Sequence, residues 1–298
     1  MPEELFKMID DSAQVTVKVF REKTSAAHRH DEVSCELEDE SMVVIGGGAT
    51  GSGYPGGLLT ASFPRPDRKA WVASSKDHGA ADEHDLSVFA IGLSIQGLSP
   101  ERLKSFITYE ETTTPTRVSY PVGTATRRDG ASTLVGGGFR LNMEQTAPGN
   151  LITSSYPEFD QSWTARGKDH GAQSKATMTT WGIYMKKEID IGIANLKYQV
   201  NVLPTTGFSD PSGNHSATAF IPKGFAMVGC GAEVQLTYGN IGQLIYQIEP
   251  AHFPASPSDN TPERWGVVAA SKDHAGHASK DSLKTWAIGI RLQQIAGP

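Results

Sequence analysis

The sequence predicts an all-β protein of three pseudo-equivalent antiparallel sheets around an approximate threefold axis, a three-sided prism. Three observations predict it. A glycine-rich segment recurs as "VIGGGA" from Val44, "LVGGGF" from Leu134 and "MVGCGA" from Met227, a period of roughly 90 residues that marks internal repetition. The last segment of each copy alternates apolar and other residues in the period of a half-buried strand: Phe89, Ile91, Leu93 and Ile95; Trp181, Ile183 and Met185; Trp286, Ile288, Ile290 and Leu292. The composition, with 31 glycines and 17 prolines in 298 residues, demands many turns between short strands.

The repeats divide the chain at about 1–97, 98–188 and 189–298. They open on "PEELFKMID", "SPERLKSF" and "KEIDIGIANL", which read as short helical turns at the junctions; Ser99 before Pro100 is an N-cap signal. Two strand candidates follow in each: "AQVTVKVFRE" and "EVSCELEDE", "SFITYEE" and "RVSYPVG", "KYQVNVL" and "SATAFIP". Next comes the glycine segment, expected to be a bulge or tight turn where two backbones approach closely. After it stand "GLLTASFP", "NLITSSYP" and "QLIYQIEP", then "WVASSKDHG", "WTARGKDHG" and "VVAASKDHA". In the third copy Val267 occupies the tryptophan position, and Trp265, two residues earlier, is expected on the same side of its strand. Each repeat thus holds enough strands for a four- or five-stranded sheet, whose apolar face must be hidden. Facing a common axis hides all three, with Trp71, Trp163, Phe89, Trp181 and Trp286 expected inward. The period is too long for a propeller blade of roughly 40–45 residues.

Several functions are excluded by the same residues. "VVIGGGATGSG" contains Gly46-x-Gly48-x-x-Gly51, but Pro55, Gly56 and Gly57 follow where a dinucleotide site needs a helix. The later copies also lack the third glycine, so no cofactor is expected. A net charge of −6 without any run of Lys or Arg argues against nucleic acid. No apolar run approaches the ~20 residues that span a bilayer, and "MPEELFKMIDDSAQ" is unlike a secretion signal. The chain is therefore expected in the cytoplasm as synthesised, or exported without a classical signal. Cys35 and Cys230 fall at different places in their repeats and read as buried hydrophobes; the Asn214 sequon stands alone.

The polar residues kept in all three copies are Lys76-Asp77-His78, Lys168-Asp169-His170 and Lys272-Asp273-His274. They read either as three equivalent ligand-binding sites or as turns, with Asp capping amides, His reaching a carbonyl and Lys lying over an aromatic ring. The turn is preferred, because pseudo-symmetric units preserve folding devices more reliably than sites. For metals the pattern is poor: adjacent Asp and His on a strand face opposite ways, and "HRHD" (His28–Asp31) and "HAGH" (His274–His277) are unrepeated. A hydrolase triad fails too, since Gly167 replaces the Ser75 and Ser271 that precede the triplet elsewhere, and no nucleophile elbow is present.

"HDLSVFAIGLSI" and "DSLKTWAIGIRL" resemble the closing strand of β-prism proteins of the jacalin type. The likeness covers about a dozen residues per repeat, plus the glycine turns and the triplication. It implies the prism architecture shared by plant lectins, the receptor-binding middle domain of δ-endotoxins, vitelline outer-layer proteins and membrane-targeting prisms of pore-forming proteins. It also implies a departure: jacalin-like lectins hold sugar with an aspartate just before Ala-Ile-Gly, where this chain has Phe89, Trp181 or Trp286. The resulting expectation is a non-catalytic recognition protein for a cell-surface glycan or receptor, of the kind that forms the targeting part of a toxin-like system. A self-assembling structural protein, with homo-oligomers, and a membrane-surface module are the alternatives.

Overall fold

The computed structural model describes residues 1–295 apart from 53–56, 79–80, 145–148, 160, 172, 193–195, 212–213, 236–241, 257, 259–260 and 274–280. The first repeat forms β1 (Glu3–Ile9), β2 (Val15–Lys23), β3 (Arg29–Glu36), β4 (Val43–Gly51), β5 (Leu58–Pro64), β6 (Ala70–Lys76) and β7 (Leu86–Ile95). The second forms α1 (Pro100–Lys104), β8 (Ile107–Thr113), β9 (Val122–Thr126), β10 (Ser132–Asn142), β11 (Asn150–Glu158), β12 (Ser162–Asp169) and β13 (Thr177–Lys186). The third forms β14 (Glu188–Asp190), β15 (Lys197–Phe208), β16 (Asn214–Phe220), β17 (Ala226–Gln235), β18 (Leu244–Phe253), β19 (Arg264–Lys272) and β20 (Ser282–Ile295).

These strands build three antiparallel sheets, ordered β1-β2-β7-β4-β18-β19-β16, β3-β6-β5-β10-β13-β8 and β14-β15-β20-β17-β11-β12-β9. No repeat keeps a sheet to itself. Each splits into two half-sheets, because the chain leaves one sheet after its glycine strand and enters the next: β4 to β5, β10 to β11, β17 to β18. The halves join where β5 pairs with β10, β11 with β17 and β18 with β4. The three repeats are thereby stitched into a closed ring, which six- and seven-stranded sheets reveal and a count of strands per repeat does not.

The glycine strands carry the closure. Each has a bulge before its first glycine, at Val44/Gly46, Leu134/Gly136 and Met227/Gly229. A Cβ on Gly46 would strike the Val228 carbonyl, one on Gly136 the Ile45 carbonyl, and one on Gly229 the Val135 carbonyl. Three backbones thus meet around the axis, each glycine making room for the bulged residue of another repeat. The middle glycines serve differently: a side chain on Gly47 or Gly137 would overlap the indole of Trp71 or Trp163. Those buried indoles donate to Ser62 Oγ (2.8 Å) and Ser155 Oγ (2.9 Å). In the third repeat all three partners change together, to Val267, Cys230 and Ile248. A smaller residue over the strand leaves space for a side chain beneath it, and without an indole N–H the serine is not needed.

Four expectations require correction. "PEELFKMID" is the strand β1, paired with β2, and "KEID" holds the short β14; among the described residues only the second repeat opens on a helix. There the Ser99 side chain accepts from the Arg102 amide, with Pro100 in the first turn. Trp181 and Trp286 are buried but lie outside the main core. Each sits at a junction of half-sheets and stacks on an aromatic of the neighbouring repeat, Trp181 on Phe63 at 4.6 Å and Trp286 on Tyr156 at 5.1 Å. Trp265 does not stand in for the missing core tryptophan, since Cys230 and Ile248 already fill that space.

Candidate functional site

The Lys-Asp-His triplets come together at one end of the axis. Lys76, Lys168 and Lys272 are cross-strand partners of Leu58, Leu151 and Leu244. Those leucines form a single apolar cluster with Tyr246, drawn from all three repeats. Lys168 and Lys272 are only 5% and 4% exposed. Burial lowers both to about 8, against the pull of Asp281 and Asp273 on Lys168 and of Asp82 on Lys272. Burial also lowers Lys76, helped by Arg29 and opposed by Asp77. Lys272 Nζ lies 4.9 Å from the Tyr246 ring centroid. His78 and His170 are buried edge-to-face with centroids 5.3 Å apart. His274 lies outside the described residues.

Asp77 makes a turn. Asp77 Oδ2 accepts from the Asp82 amide (3.2 Å) and meets His28 Nδ1 at 3.0 Å. The Asp77 and Asp169 amides donate to His28 O and Ser119 O, both at 2.9 Å, so two repeats tie the triplet to the same neighbouring segment. Lysines of one repeat face acids of the next: Lys168 of the second repeat feels Asp273 and Asp281 of the third, and Lys272 feels Asp82 of the first. Chemically this arrangement can lock repeats together. It presents little surface to a large ligand.

Two other groups from the sequence separate in space. In "HRHD", His28 turns to Asp77, Arg29 binds Asp31, and buried His30 packs beside His84. Among the described residues no three His, Cys, Asp or Glu side chains are placed to hold a metal ion; His274–His277 lies outside the described residues. Ser75 Oγ is 2.8 Å from His84 Nε2, a contact the sequence did not suggest. Both residues are 1% exposed, and His84 Nδ1 faces the Asp82 backbone carbonyl rather than a carboxylate. Burial also raises Cys35 to about 12 and Cys230 further, which leaves both as unreactive thiols.

Open concave surface occurs at the opposite end of the body. A groove of about 940 Å³ runs between the end of β1, the β16–β17 turn and the start of β19. Its apolar wall is Ile9, Ile221, Phe225 and Trp265, and its charged groups are Asp11, Lys223, Glu263 and Arg264. Trp265 stacks on His252 with centroids 5.6 Å apart, and the Arg264 guanidinium lies 3.9 Å from the Phe220 ring centroid. Trp265 Nε1 and Arg264 Nε make no hydrogen bond.

No protein-family model and no curated protein matches the chain. Function must therefore be read from the way the repeats differ. The same floor is built three times: Leu37 N–H donates to Lys69 O, Arg127 N–H to Gln161 O, and Ile221 N–H to Trp265 O. The residue at the mouth is thus lysine, glutamine or tryptophan. In the first repeat the matching recess is charged, lined by Glu36, Asp39, Lys69 and Glu101, and holds only about 290 Å³. Trp265 belongs to the third repeat alone. The sequence did show it, displaced by two residues, and the displacement was the signal.

Proposed function

We propose that this chain is a non-catalytic, lectin-like recognition protein, that a cell-surface glycan or receptor is its ligand, and that the Trp265 groove is the contact surface. In a triplicated fold, features shared by all repeats serve the fold. A residue that breaks the pattern on an exposed concave face is the better candidate for binding. Trp265 carries the reading: a partly exposed indole beside Phe225, with Asp11, Lys223 and Glu263 on the rim, is the mixture of stacking face and polar edge that holds a sugar ring. Shielded donors without partners also carry a desolvation cost, which a ligand oxygen would relieve after a small side-chain shift. The jacalin-like closing strands support the same class, and targeting within a toxin-like system is a setting that suits it; both supports are by analogy of fold. The jacalin-type sugar position is not used, because Phe89 is in the core and Trp181 and Trp286 are stacked on neighbours.

A glycan array with the intact chain and Trp265→Ala tests this. Reproducible hits that disappear in the variant, at unchanged melting temperature, are expected. Hits that survive the substitution would place binding elsewhere.

Self-assembly is favoured by one other observation. Phe159, at the β11–β12 turn, is 86% exposed and held at φ 59, a left-handed conformation costly for an aromatic residue. Beside it lies a small apolar recess formed by Leu134, Pro157, Val202, Pro204 and Ile288. Sedimentation velocity of the parent and of Phe159→Ser decides this point: an oligomer that dissociates in the variant supports assembly through this turn.

A further inference from the structure

Resting on the glycan reading of the Trp265 groove, we infer that its ligand is an anionic saccharide, a sugar carrying a carboxylate or a sulfate. The groove's own acids already have partners. Glu263 is bound by His252, Nε2 to Oε1 at 2.7 Å, and Asp11 faces Arg291 at 3.4 Å. Asp10, just behind, is buried and accepts from the Gln14, Val15 and Leu292 amides and the Ser12 hydroxyl. The cations are in the opposite condition. Lys223 is exposed on the β16–β17 turn, Arg264 lies flat on Phe220, and among the described residues neither has a carboxylate within 4.0 Å. Two cations without a carboxylate within 4.0 Å therefore flank an aromatic wall on a protein whose net charge is −6. In the rest of the molecule, acids outnumber bases. A neutral sugar would use the wall and leave both charges idle. An acidic one places its ring on Trp265 and its anionic group between Lys223 and Arg264, where charge-assisted hydrogen bonds are stronger than neutral ones.

Calorimetric titrations with a glucuronate-containing hyaluronan oligosaccharide, a sulfated heparin oligosaccharide and neutral chitohexaose test the inference. At least one acidic sugar is expected to bind tenfold or more tighter than chitohexaose, with affinity falling as salt rises. Which acidic sugar wins tells carboxylate from sulfate. Lys223→Gln, an exposed change that does not threaten folding, and the double variant with Arg264→Gln should lose that preference stepwise, acidic-sugar affinity falling several-fold more than chitohexaose affinity. Equal affinity for neutral and acidic sugars, or acidic binding indifferent to the double variant, overturns the inference. If chitohexaose binds and Trp265→Ala abolishes it, the glycan reading survives that failure. If none of the three sugars binds, the inference falls, and the glycan array with Trp265→Ala decides the glycan reading by itself.

Discussion

Asp77 shows how one side chain decides between a binding group and a folding device. Its carboxylate caps the Asp82 amide and meets His28, which are the contacts of a turn. Asp77→Ala should therefore cost about 0.5–2 kcal/mol in urea unfolding, the range for a lost side-chain-to-amide cap at a helix and used here by analogy. Ligand affinity per folded molecule should not change; a variant with parental stability and lost binding would reverse the assignment. The triplets were legible as a repeated element, but their convergence was not. Period and spacing report which residues lie along a strand, whereas the meeting of Lys76, Lys168 and Lys272 depends on how three distant strand ends approach one axis. Trp265 was misread for a related reason. Strand alternation predicts the side of a strand correctly, yet it cannot tell that Cys230 and Ile248 have already filled the core position.

Across each run of three consecutive strands, β4 to β6, β10 to β12 and β17 to β19, lies one set of matched residues: Gly47, Ser62 and Trp71; Gly137, Ser155 and Trp163; Cys230, Ile248 and Val267. If the match is a packing rule, changing one member alone must hurt and changing all three must heal. Gly47→Cys should destabilise by about 1–3 kcal/mol through overpacking against the Trp71 indole and the Phe89 carbonyl. The triple change Gly47→Cys, Trp71→Val, Ser62→Ile should recover the part of that loss that comes from the indole, a measurable rise in the midpoint of urea unfolding over the single variant. A triple variant no more stable than the single one would show that the covariation is incidental. Element identity was readable because alternation and glycine placement are local. The exchange of half-sheets was not, because the same strands with the same faces could pair within a repeat or across two. The deciding fact is the missing Cβ at Gly46, Gly136 and Gly229, which lets β4, β10 and β17 meet on the axis. An alanine at Gly136 should accordingly block closure and reduce soluble expression, while an alanine at Gly130, which has open space around it, should be tolerated.

The molecule as a whole is a ring of three repeats, and its axial end joins them partly by buried charge. Lys168 and Lys272 titrate near 8 in the folded protein because burial disfavours the ammonium, and the nearby acids offset only part of that cost. In the unfolded chain both return toward 10.5. Between about pH 8 and 10.5 the unfolded state holds more protons than the folded one, so these two lysines make stability rise with pH across that window. Below about pH 8 both states are protonated and the full penalty is present. The cysteines work against this trend at higher pH. Cys35 and Cys230 are raised from 9.0 by burial, so the unfolded thiols ionise first and stability falls as pH passes 9. The buried tyrosines Tyr109 and Tyr184 do the same above 10. The lysine contribution is therefore cleanest between pH 8 and 9. Urea unfolding of the parent should show rising stability over that interval, and Lys168→Met with Lys272→Met should flatten the rise. Replacing a buried ion pair by an apolar residue is often neutral or stabilising, but each methionine leaves an acid behind, Asp273 and Asp281 or Asp82. Because the acids return only part of the burial cost of each ammonium, the double variant should still gain stability at pH 7.5 while losing its pH dependence, a pairing that simple loss of packing would not produce. A slope unchanged in the double variant would mean that the axial lysines keep their ordinary affinity for protons, and that the ring is closed by its glycines and leucines alone.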